Sequence, residues 1–248
     1  MMGGLAKQAA HGCLVAVMVV GMSAATPAAE PELPADQIEK IVRDYLLREP
    51  EIIYEALEVL QRRQTEAAAA RQREAIAANQ DELLEADHTP VGGNPDGDVT
   101  LVEFFDYRCA YCRRVIPSMQ ALLNEDRNLR VVFKELPVLG PDSVRAARAA
   151  LASHNQDGYV PFHFVLMTAD DLSMAGIRAA AASAGLDPDQ LEADMDSPEV
   201  MAAIEANYAL AKELGIEGTP AFVVGDQLIP GAVDKGRLEQ LIRDARSG

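Results

Sequence analysis

Apolar residues recur every three or four positions in the first part of the chain, which is the spacing of an amphipathic helix. A first helix is predicted from Asp36, which can cap it, and a second follows the interruption at Pro50 and runs to about Asp87. Beyond the second helix's first turns, Ile76 is the only large apolar residue before Leu83, so this part has little to bury. If the second helix is continuous, it is about 57 Å long. The apolar stripe of this helical arm comprises Ile38, Ile41, Val42, Tyr45, Leu46, Ile53, Leu57 and Leu60.

A segment rich in Gly, Pro and Asp at 88–98 separates the arm from a part of the chain with short, continuous apolar runs. Strands are predicted at 100–105 and 129–136, with a helix between them from the cysteines to about Asn124. This order implies a parallel β-α-β unit and an α/β fold. The elements predicted after it are a helical stretch, two strands and a closing helix, at about 142–214, 221–224, 227–229 and from Asp234.

The first 29 residues have the pattern of a secretory signal peptide. Lys7 is their only charged residue, an apolar run follows at 13–22, and small residues occupy most positions from Ser23 to Ala29. A membrane span needs about 20 apolar residues, which is more than this run provides. The alternative is a buried hydrophobic helix, but the run lacks amphipathic spacing. We therefore expect cleavage between Ala25 and Ala29 and export to the periplasm.

The charge balance bears on the partners of the protein. Lys and Arg number 22 against 39 Asp and Glu, so the net charge is −17, and the chain has no Trp. Such a chain repels phosphate backbones and lacks the aromatic side chains on which bases stack, so nucleic-acid binding is not expected. Hydrophobic residues make up 49% of the chain, which is enough for a substantial core.

Two of the three cysteines, Cys109 and Cys112, remain once the leader with Cys13 is removed. A zinc site needs about four ligands, and a disulfide that closes so short a loop is a poor structural staple. The pair is therefore predicted to be redox-active, with no metal or cofactor. At a helix N-terminus the Cys109 thiolate is stabilised, and Cys112, one turn further on, can attack a mixed disulfide formed at Cys109. His154 and His163 are predicted to pack in the core or at an interface and not to bind a ligand.

Three features together resemble the DsbA-type thioredoxin family: the segment Val-Glu-Phe-Phe-Asp-Tyr-Arg-Cys-Ala-Tyr-Cys, the long helical stretch, and Gly-Thr-Pro-Ala-Phe at 218–222. The resemblance covers roughly residues 90–245 and implies a thioredoxin fold interrupted by a helical insert. It implies that Pro220 is a cis-proline facing the cysteines, with Thr219 beside them. It also implies that Glu103 is a buried acid that accepts a proton from Cys112.

The arm resembles the N-terminal segment of the ScsC family (suppressor of copper sensitivity protein C), whose members can trimerise through it. The resemblance implies a homo-oligomer, with a trimer favoured; the alternative is a helical hairpin folded on its own domain. Thr219, the residue before the predicted cis-proline, is similar to the residue at this position in isomerases and ScsC proteins. Ala110 departs from the Pro that is usual at the first position between the two cysteines. The predicted organisation is a signal peptide at 1–29, an oligomerisation arm at 30–88 and a DsbA-like domain at 89–248.

The expected function is that of a periplasmic thiol-disulfide oxidoreductase or isomerase acting on protein disulfides. Its partners would be proteins with thiols or disulfides and a redox protein that regenerates the cysteine pair. Three alternatives stay open at this point: a dedicated dithiol oxidase, a copper-tolerance protein that binds Cu(I) through both thiolates, and a structural envelope protein without turnover.

Overall fold

The computed structural model describes residues 34–86 and 89–247, and the predicted signal peptide lies outside the described residues. None of the described helices is both long and apolar enough to cross a membrane. A short 3-10 helix, Ser153–Gln156, directly follows the α-helix Pro141–Ala152. The helices are α1 (Ala35–Arg48), α2 (Glu51–Ala78), α3 (Gln80–Leu84), α4 (Ala110–Glu125), α5 (Pro141–Ala152), α6 (Tyr159–Thr168), α7 (Met174–Ser183), α8 (Pro188–Asp194), α9 (Pro198–Glu213) and α10 (Lys235–Ser247).

Five strands form one mixed sheet in the order β1-β3-β2-β4-β5. The central strands β2 and β3 are parallel, as the β-α-β pattern predicted, and the other neighbouring pairs are antiparallel. The short strand β1 was not predicted, because Val-Gly-Gly has no strand-like pattern of its own. The strands are β1 (Val91–Gly93), β2 (Val99–Phe105), β3 (Leu129–Glu135), β4 (Ala221–Val224) and β5 (Gln227–Pro230).

Alternate residues of β2 and β3 are buried on opposite faces of the sheet. Leu101 and Phe105 belong to the larger cluster, which includes apolar residues of α4, α10 and the inserted helices α5–α8. Val102 and Phe104 belong to a second cluster with Leu210 of α9 and the end of the arm. The helices that were predicted at about 142–214 are therefore an insertion that covers both faces of a thioredoxin-type sheet.

The described chain divides into two compact units at Leu57 and Glu58. The first unit contains α1 and the start of α2, and α1 has no buried residue. The prediction that Asp36 caps α1 is wrong. Pro34 precedes the first helical residue, and Asp36 lies within the first turn, where its charge still suits the helix dipole.

The prediction of one continuous helix to Asp87 is also wrong, since α2 ends at Ala78 and α3 begins at Gln80. The Asn79 amide donates a hydrogen bond to the carbonyl oxygen of Ala75 at 2.9 Å. Such a bond from side chain to backbone competes with the regular helix pattern. The two large apolar residues that the pattern singled out after Leu60, Ile76 and Leu83, are both buried against the sheet.

Two basic residues of β3 hold the short helix α3. Arg130 donates to the carbonyl oxygen of Leu84 at 2.6 Å, and Lys134 donates to that of Glu82 at 2.6 Å. Lys134 also donates to the Thr89 hydroxyl at 2.8 Å, and burial lowers its pKa to about 8. The carbonyls at the end of α3 thus receive donors from the sheet, which attaches the end of the arm within the second unit.

Candidate active site

Cys109 occupies the position before the first residue of α4, where the chain leaves β2. Its backbone is extended, with φ −72° and ψ 112°, and its sulfur accepts a hydrogen bond from the backbone N–H of Cys112 at 3.4 Å. The side chain therefore takes the place of a helix-capping oxygen and faces otherwise unpaired N–H groups. A thiolate at this position gains from the positive end of the helix dipole.

The loop between α9 and β4 approaches the same sulfur from the other side. The peptide bond between Thr219 and Pro220 is cis, and the Cys109 thiol donates to the carbonyl oxygen of Thr219 at 3.2 Å. The Pro220 carbonyl accepts from the N–H of Gly231 at 2.8 Å, which ties the loop to the end of β5. The structure thus brings together Cys109, Cys112, Thr219 and Pro220, which lie 107 to 111 positions apart across the two segments.

The two thiols differ in access. Cys109 is 6% exposed and Cys112 is fully buried one turn further along α4. Burial raises the pKa of Cys112, and the nearby sulfur of Cys109 and the charge of Glu103 raise it further; a backbone hydrogen bond with Asp106 acts in the opposite direction. Burial therefore favours the thiol form of Cys112, and Cys109 is the more exposed residue of the two.

Glu103 lies in the middle of β2, between Phe133 of β3 and Phe222 of β4 in the register of the sheet. It is fully buried, and neither of its carboxyl oxygens has a hydrogen-bond partner among the described residues. Burial raises its pKa to about 8. A buried acid with two such oxygens and a pKa near neutrality can hold a proton or release it.

The Glu103→Gln variant is expected to lose part of the pH dependence of stability. The folded protein keeps the Glu103 proton up to about pH 8, whereas the unfolded chain releases it near the ordinary pKa of 4.5. Folding therefore takes up a proton between these values, and stability falls as the pH rises through this window. Between pH 4.5 and 8, we expect the free energy of unfolding of the wild type to fall by about 4 kcal/mol more than that of the variant. Urea unfolding of the reduced protein at several pH values measures this difference.

Glu205→Gln is the matched control, because Glu205 is an exposed acid on α9. The other buried groups, including Glu135 and His163, are present in all three proteins and cancel in the comparison. If Glu103→Gln and Glu205→Gln have the same pH profile as the wild type, then Glu103 ionises normally in the fold, and its assignment as a proton-holding acid is wrong.

The turn that presents Cys109 is held by Asp106, a residue that the sequence did not single out. Its buried carboxylate accepts from the N–H groups of Arg108 at 2.7 Å and Leu139 at 2.9 Å, and from the Ser143 hydroxyl at 2.7 Å. Its carbonyl accepts from the N–H of Cys109 at 3.1 Å. An Asp directly after a strand and three positions before the residue that caps a helix is a turn signal, so the sequence did contain an indication of this role.

Three arginines, Arg108, Arg113 and Arg114, lie next to the cysteines in the sequence. Arg113 donates to the carbonyl oxygens of Tyr107 at 2.9 Å and of Ala169 at 2.8 Å. Arg108 donates to a backbone carbonyl of the loop before α5, and the guanidinium of Arg114 lies 5.1 Å from the ring centre of the exposed Tyr111. Within the described residues none of the three forms an ion pair with a carboxylate.

Exposed apolar side chains border the site. Tyr111, Val138 and Leu139 are 44–58% exposed, which is high for side chains of this kind. A hollow of about 350 Å³ lies beside the cis-proline loop, and its lining includes Leu136, Val138, Tyr208, Ile216 and Gly218. A surface of this character suits apolar segments of another polypeptide.

Comparison with protein families agrees with this geometry. The model of the DSBA-like thioredoxin domain matches residues 100–243, which is more than half of the chain. The chain belongs to the DsbA-like thioredoxin family. The model of the copper resistance protein ScsC N-terminal domain matches residues 36–67, within the arm. The resemblances to both families, and the fold class predicted from them, are confirmed, and the DsbA-like family is one of thiol-disulfide oxidoreductases.

Solved structures of DsbA-like proteins share the fold. A thioredoxin-like oxidoreductase from Silicibacter pomeroyi is 47% identical, with a TM-score of 0.66, over 68% of this chain and 99% of that one. A linker-deletion mutant of Proteus mirabilis ScsC is 29% identical, with a TM-score of 0.67, over 88% of this chain and 99% of that one. The second comparison extends beyond the thioredoxin domain.

Curated relatives include longer proteins. The Na(+)/H(+) antiporter NhaA of Herminiimonas arsenicoxydans is 34% identical over 168 residues, which make up 66% of this chain and 26% of the antiporter. The chain therefore spans about a quarter of the length of the curated relatives that it matches first.

Proposed function

We propose that the protein is a thiol-disulfide oxidoreductase of the periplasm that acts on disulfides of other proteins and also isomerises them. The observation that carries the proposal is the position of the Cys109 sulfur. It lies between the N-terminus of α4 and the carbonyl of Thr219, with the buried Cys112 behind it. One accessible, anion-stabilised sulfur with a resolving thiol one turn away is the arrangement that thiol-disulfide exchange needs.

In the reducing direction the Cys109 thiolate attacks one sulfur of a substrate disulfide. A bond forms between Cys109 and that sulfur, and the other substrate sulfur leaves as a thiolate. Cys112 then loses its proton and attacks Cys109, which forms the Cys109–Cys112 disulfide and releases the second substrate thiolate. Two electrons pass from the protein to the substrate, and oxidation is the same sequence in reverse.

Glu103 is proposed as the acid that exchanges a proton with Cys112. The support for this role is that Glu103 is a buried acid without a hydrogen-bond partner among the described residues, and that its charge is one of the factors that raise the pKa of Cys112, after the larger effect of burial. During reduction Glu103 takes the proton that Cys112 loses. During oxidation it returns a proton to Cys112 as this residue leaves as a thiolate.

Isomerisation needs no net transfer of electrons. After Cys109 has formed the mixed disulfide, a free thiolate of the substrate can form a new disulfide and release Cys109. The exposed apolar surface at Tyr111, Val138 and Leu139 supports this activity, because it can hold an unfolded segment during repeated exchange. The arm supports it as well, if it joins several catalytic units as we expect.

A refolding assay with two substrates tests the proposal. The full chain, in a glutathione buffer, is added in catalytic amounts either to reduced ribonuclease or to ribonuclease with scrambled disulfides. We expect recovery of activity in both cases, at a rate at least about tenfold above that of buffer alone. The variant in which both Cys109 and Cys112 are Ser is the control, since Ser retains the size of the side chain and removes the reactive sulfur.

The outcomes separate the alternatives. Activity on reduced ribonuclease alone identifies a dedicated oxidase and contradicts the isomerase proposal. Activity on neither substrate, together with competition against a Cu(I) chelator, indicates a copper-binding protein in which both thiolates are ligands. The burial of Cys112 disfavours that alternative, because a second thiolate would have to form in an apolar interior.

A further inference from the structure

Four buried side chains form a hydrogen-bonded cluster beneath the turn that presents Cys109. We call Tyr107, Glu135, Tyr159 and His163 the tyrosine–glutamate cluster. The Tyr107 hydroxyl donates to Glu135 Oε1 at 2.9 Å, and the Tyr159 hydroxyl donates to the same oxygen at 2.7 Å. The Tyr107 oxygen also lies 3.0 Å from His163 Nδ1. Tyr159 is 4% exposed, and the other three are fully buried.

The cluster has one consistent set of donors and acceptors. If both hydroxyls donate their protons to Glu135, the Tyr107 oxygen has to be the acceptor in its contact with His163. His163 then carries its proton on Nδ1. The other ring nitrogen, Nε2, then has no proton. It lies near the rings of Phe105 and Phe133 and has no hydrogen-bond partner in the part of the chain that the structure describes. Burial keeps His163 neutral by lowering its pKa to about 3, and burial raises the pKa of Glu135. Each hydroxyl therefore has a fixed direction.

Only one member of the cluster belongs to the turn at the active site. Tyr107 stands between Asp106, whose carbonyl binds the Cys109 N–H, and Arg108. The Tyr107 carbonyl itself accepts from Arg113 of α4 at 2.9 Å. A shift of Tyr107 would therefore move both the start of α4 and the turn that carries Cys109. Tyr159, by contrast, lies in the first turn of α6 in the helical insert.

We propose that Glu135 is a positioning residue of the redox site, acting through Tyr107 on the geometry between the Cys109 sulfur, the start of α4 and the Thr219 carbonyl. The inference rests on the proposed function of the cysteine pair and adds a residue outside it. Glu135 touches neither cysteine. Its Oε1 is the point to which the Tyr107 hydroxyl is attached, and without that acceptor the turn loses its deepest anchor.

Tyr107→Phe and Tyr159→Phe form a matched pair, because each removes one buried hydroxyl that donates to the same oxygen. Both should lower the melting temperature. Only Tyr107→Phe is expected to lower the rate of Cys109 alkylation at pH 7, by about threefold to tenfold, the range that one hydrogen bond spans in an equilibrium constant. For Tyr159→Phe we expect a change of less than about twofold. The equilibrium constant with glutathione should shift by a similar factor toward the disulfide form in Tyr107→Phe alone.

Glu135→Gln is the conservative variant, because the Gln side chain keeps an acceptor oxygen for Tyr107. The rate of Cys109 alkylation in this variant should stay within about twofold of the wild-type rate. Equal alkylation rates for Tyr107→Phe and Tyr159→Phe, at equal loss of stability, would overturn the proposal and leave a cluster that only stabilises the core. Alkylation does not require turnover. A wild type that alkylates quickly yet refolds no substrate therefore contradicts the proposed function and leaves this inference standing.

Discussion

Replacing Cys109 with Ser is expected to reduce disulfide exchange to the rate in buffer, whereas replacing Cys112 with Ser is expected to trap the substrate. Cys109 is the more exposed residue of the pair, at 6% against 0% for Cys112, and it is proposed as the attacking sulfur, so without it no mixed disulfide is expected to form. In Cys112→Ser the mixed disulfide forms, but no thiol remains one turn away to resolve it. Mass spectrometry of the variant mixed with an oxidised peptide should show a covalent adduct that dithiothreitol removes.

The same assignment predicts very different reactivities in the wild type. Iodoacetamide at neutral pH should modify Cys109 first and leave Cys112 largely unmodified, because burial both shields Cys112 and raises its pKa. Circular dichroism of the two variants checks that Ser leaves the fold intact. Equal alkylation of both thiols at neutral pH would contradict the division into an attacking and a resolving sulfur.

The strands around the site were predictable because β2 and β3 are buried on both faces. A parallel strand in this setting is rich in apolar residues, and the strands predicted at 100–105 and 129–136 match the observed ones within one residue at either end. The break at Asn79 was not predictable, because it depends on one amide that competes with the helix in a segment otherwise rich in Ala. The strand β1 depends on pairing with β3 almost 40 residues away, which no local pattern reveals.

The candidate site was predictable only as far as the motif extends. Cys109 and Cys112 follow from spacing, and Pro220 and Thr219 follow from the resemblance to the family. The end of β3 shows why the remainder was missed. Two charged residues in succession, Lys134 and Glu135, are typical of a strand end that is exposed to water, yet both side chains are fully buried. They point to opposite faces of the sheet, and each has partners that are distant in sequence: Glu82 and Thr89 for Lys134, Tyr107 and Tyr159 for Glu135.

Disruption of the arm is expected to change the mass of the particle in solution from that of an assembly to that of one chain. Within the single chain the apolar stripe of α1 is open to solvent, with exposures of 47% for Ile38, 59% for Ile41 and 40% for Tyr45. Isolated short helices are marginal in water, so this stripe needs a partner. Burying three or four such side chains per copy would contribute about 5–10 kcal/mol before the cost of ordering. We therefore expect the full chain to assemble, most readily as a trimer.

A single substitution on the stripe should be enough to separate the copies. Ile41→Asp places a charge where the copies would meet, and light scattering should show the mass falling about threefold, to that of one chain. Leu47→Asp is the matched control. Leu47 is 72% exposed, and at about 100° per residue it lies on the face of α1 opposite Ile38. Its substitution should leave the assembly unchanged.

A truncated chain tests the arm as a whole, and the structure decides where to cut it. Removal of all residues before Thr89 would strip Ile76 and Leu83 from the sheet and deprive Lys134 of the Glu82 carbonyl, so loss of assembly could reflect damage to the second unit. A chain that begins at Arg71 keeps these contacts and lacks the stripe, and it should be a monomer that retains Cys109 reactivity. If this chain still assembles, or if Ile41→Asp and Leu47→Asp behave alike, then association does not run through the arm. If the full chain is itself a monomer, then several active sites in one particle no longer support isomerisation over simple oxidation.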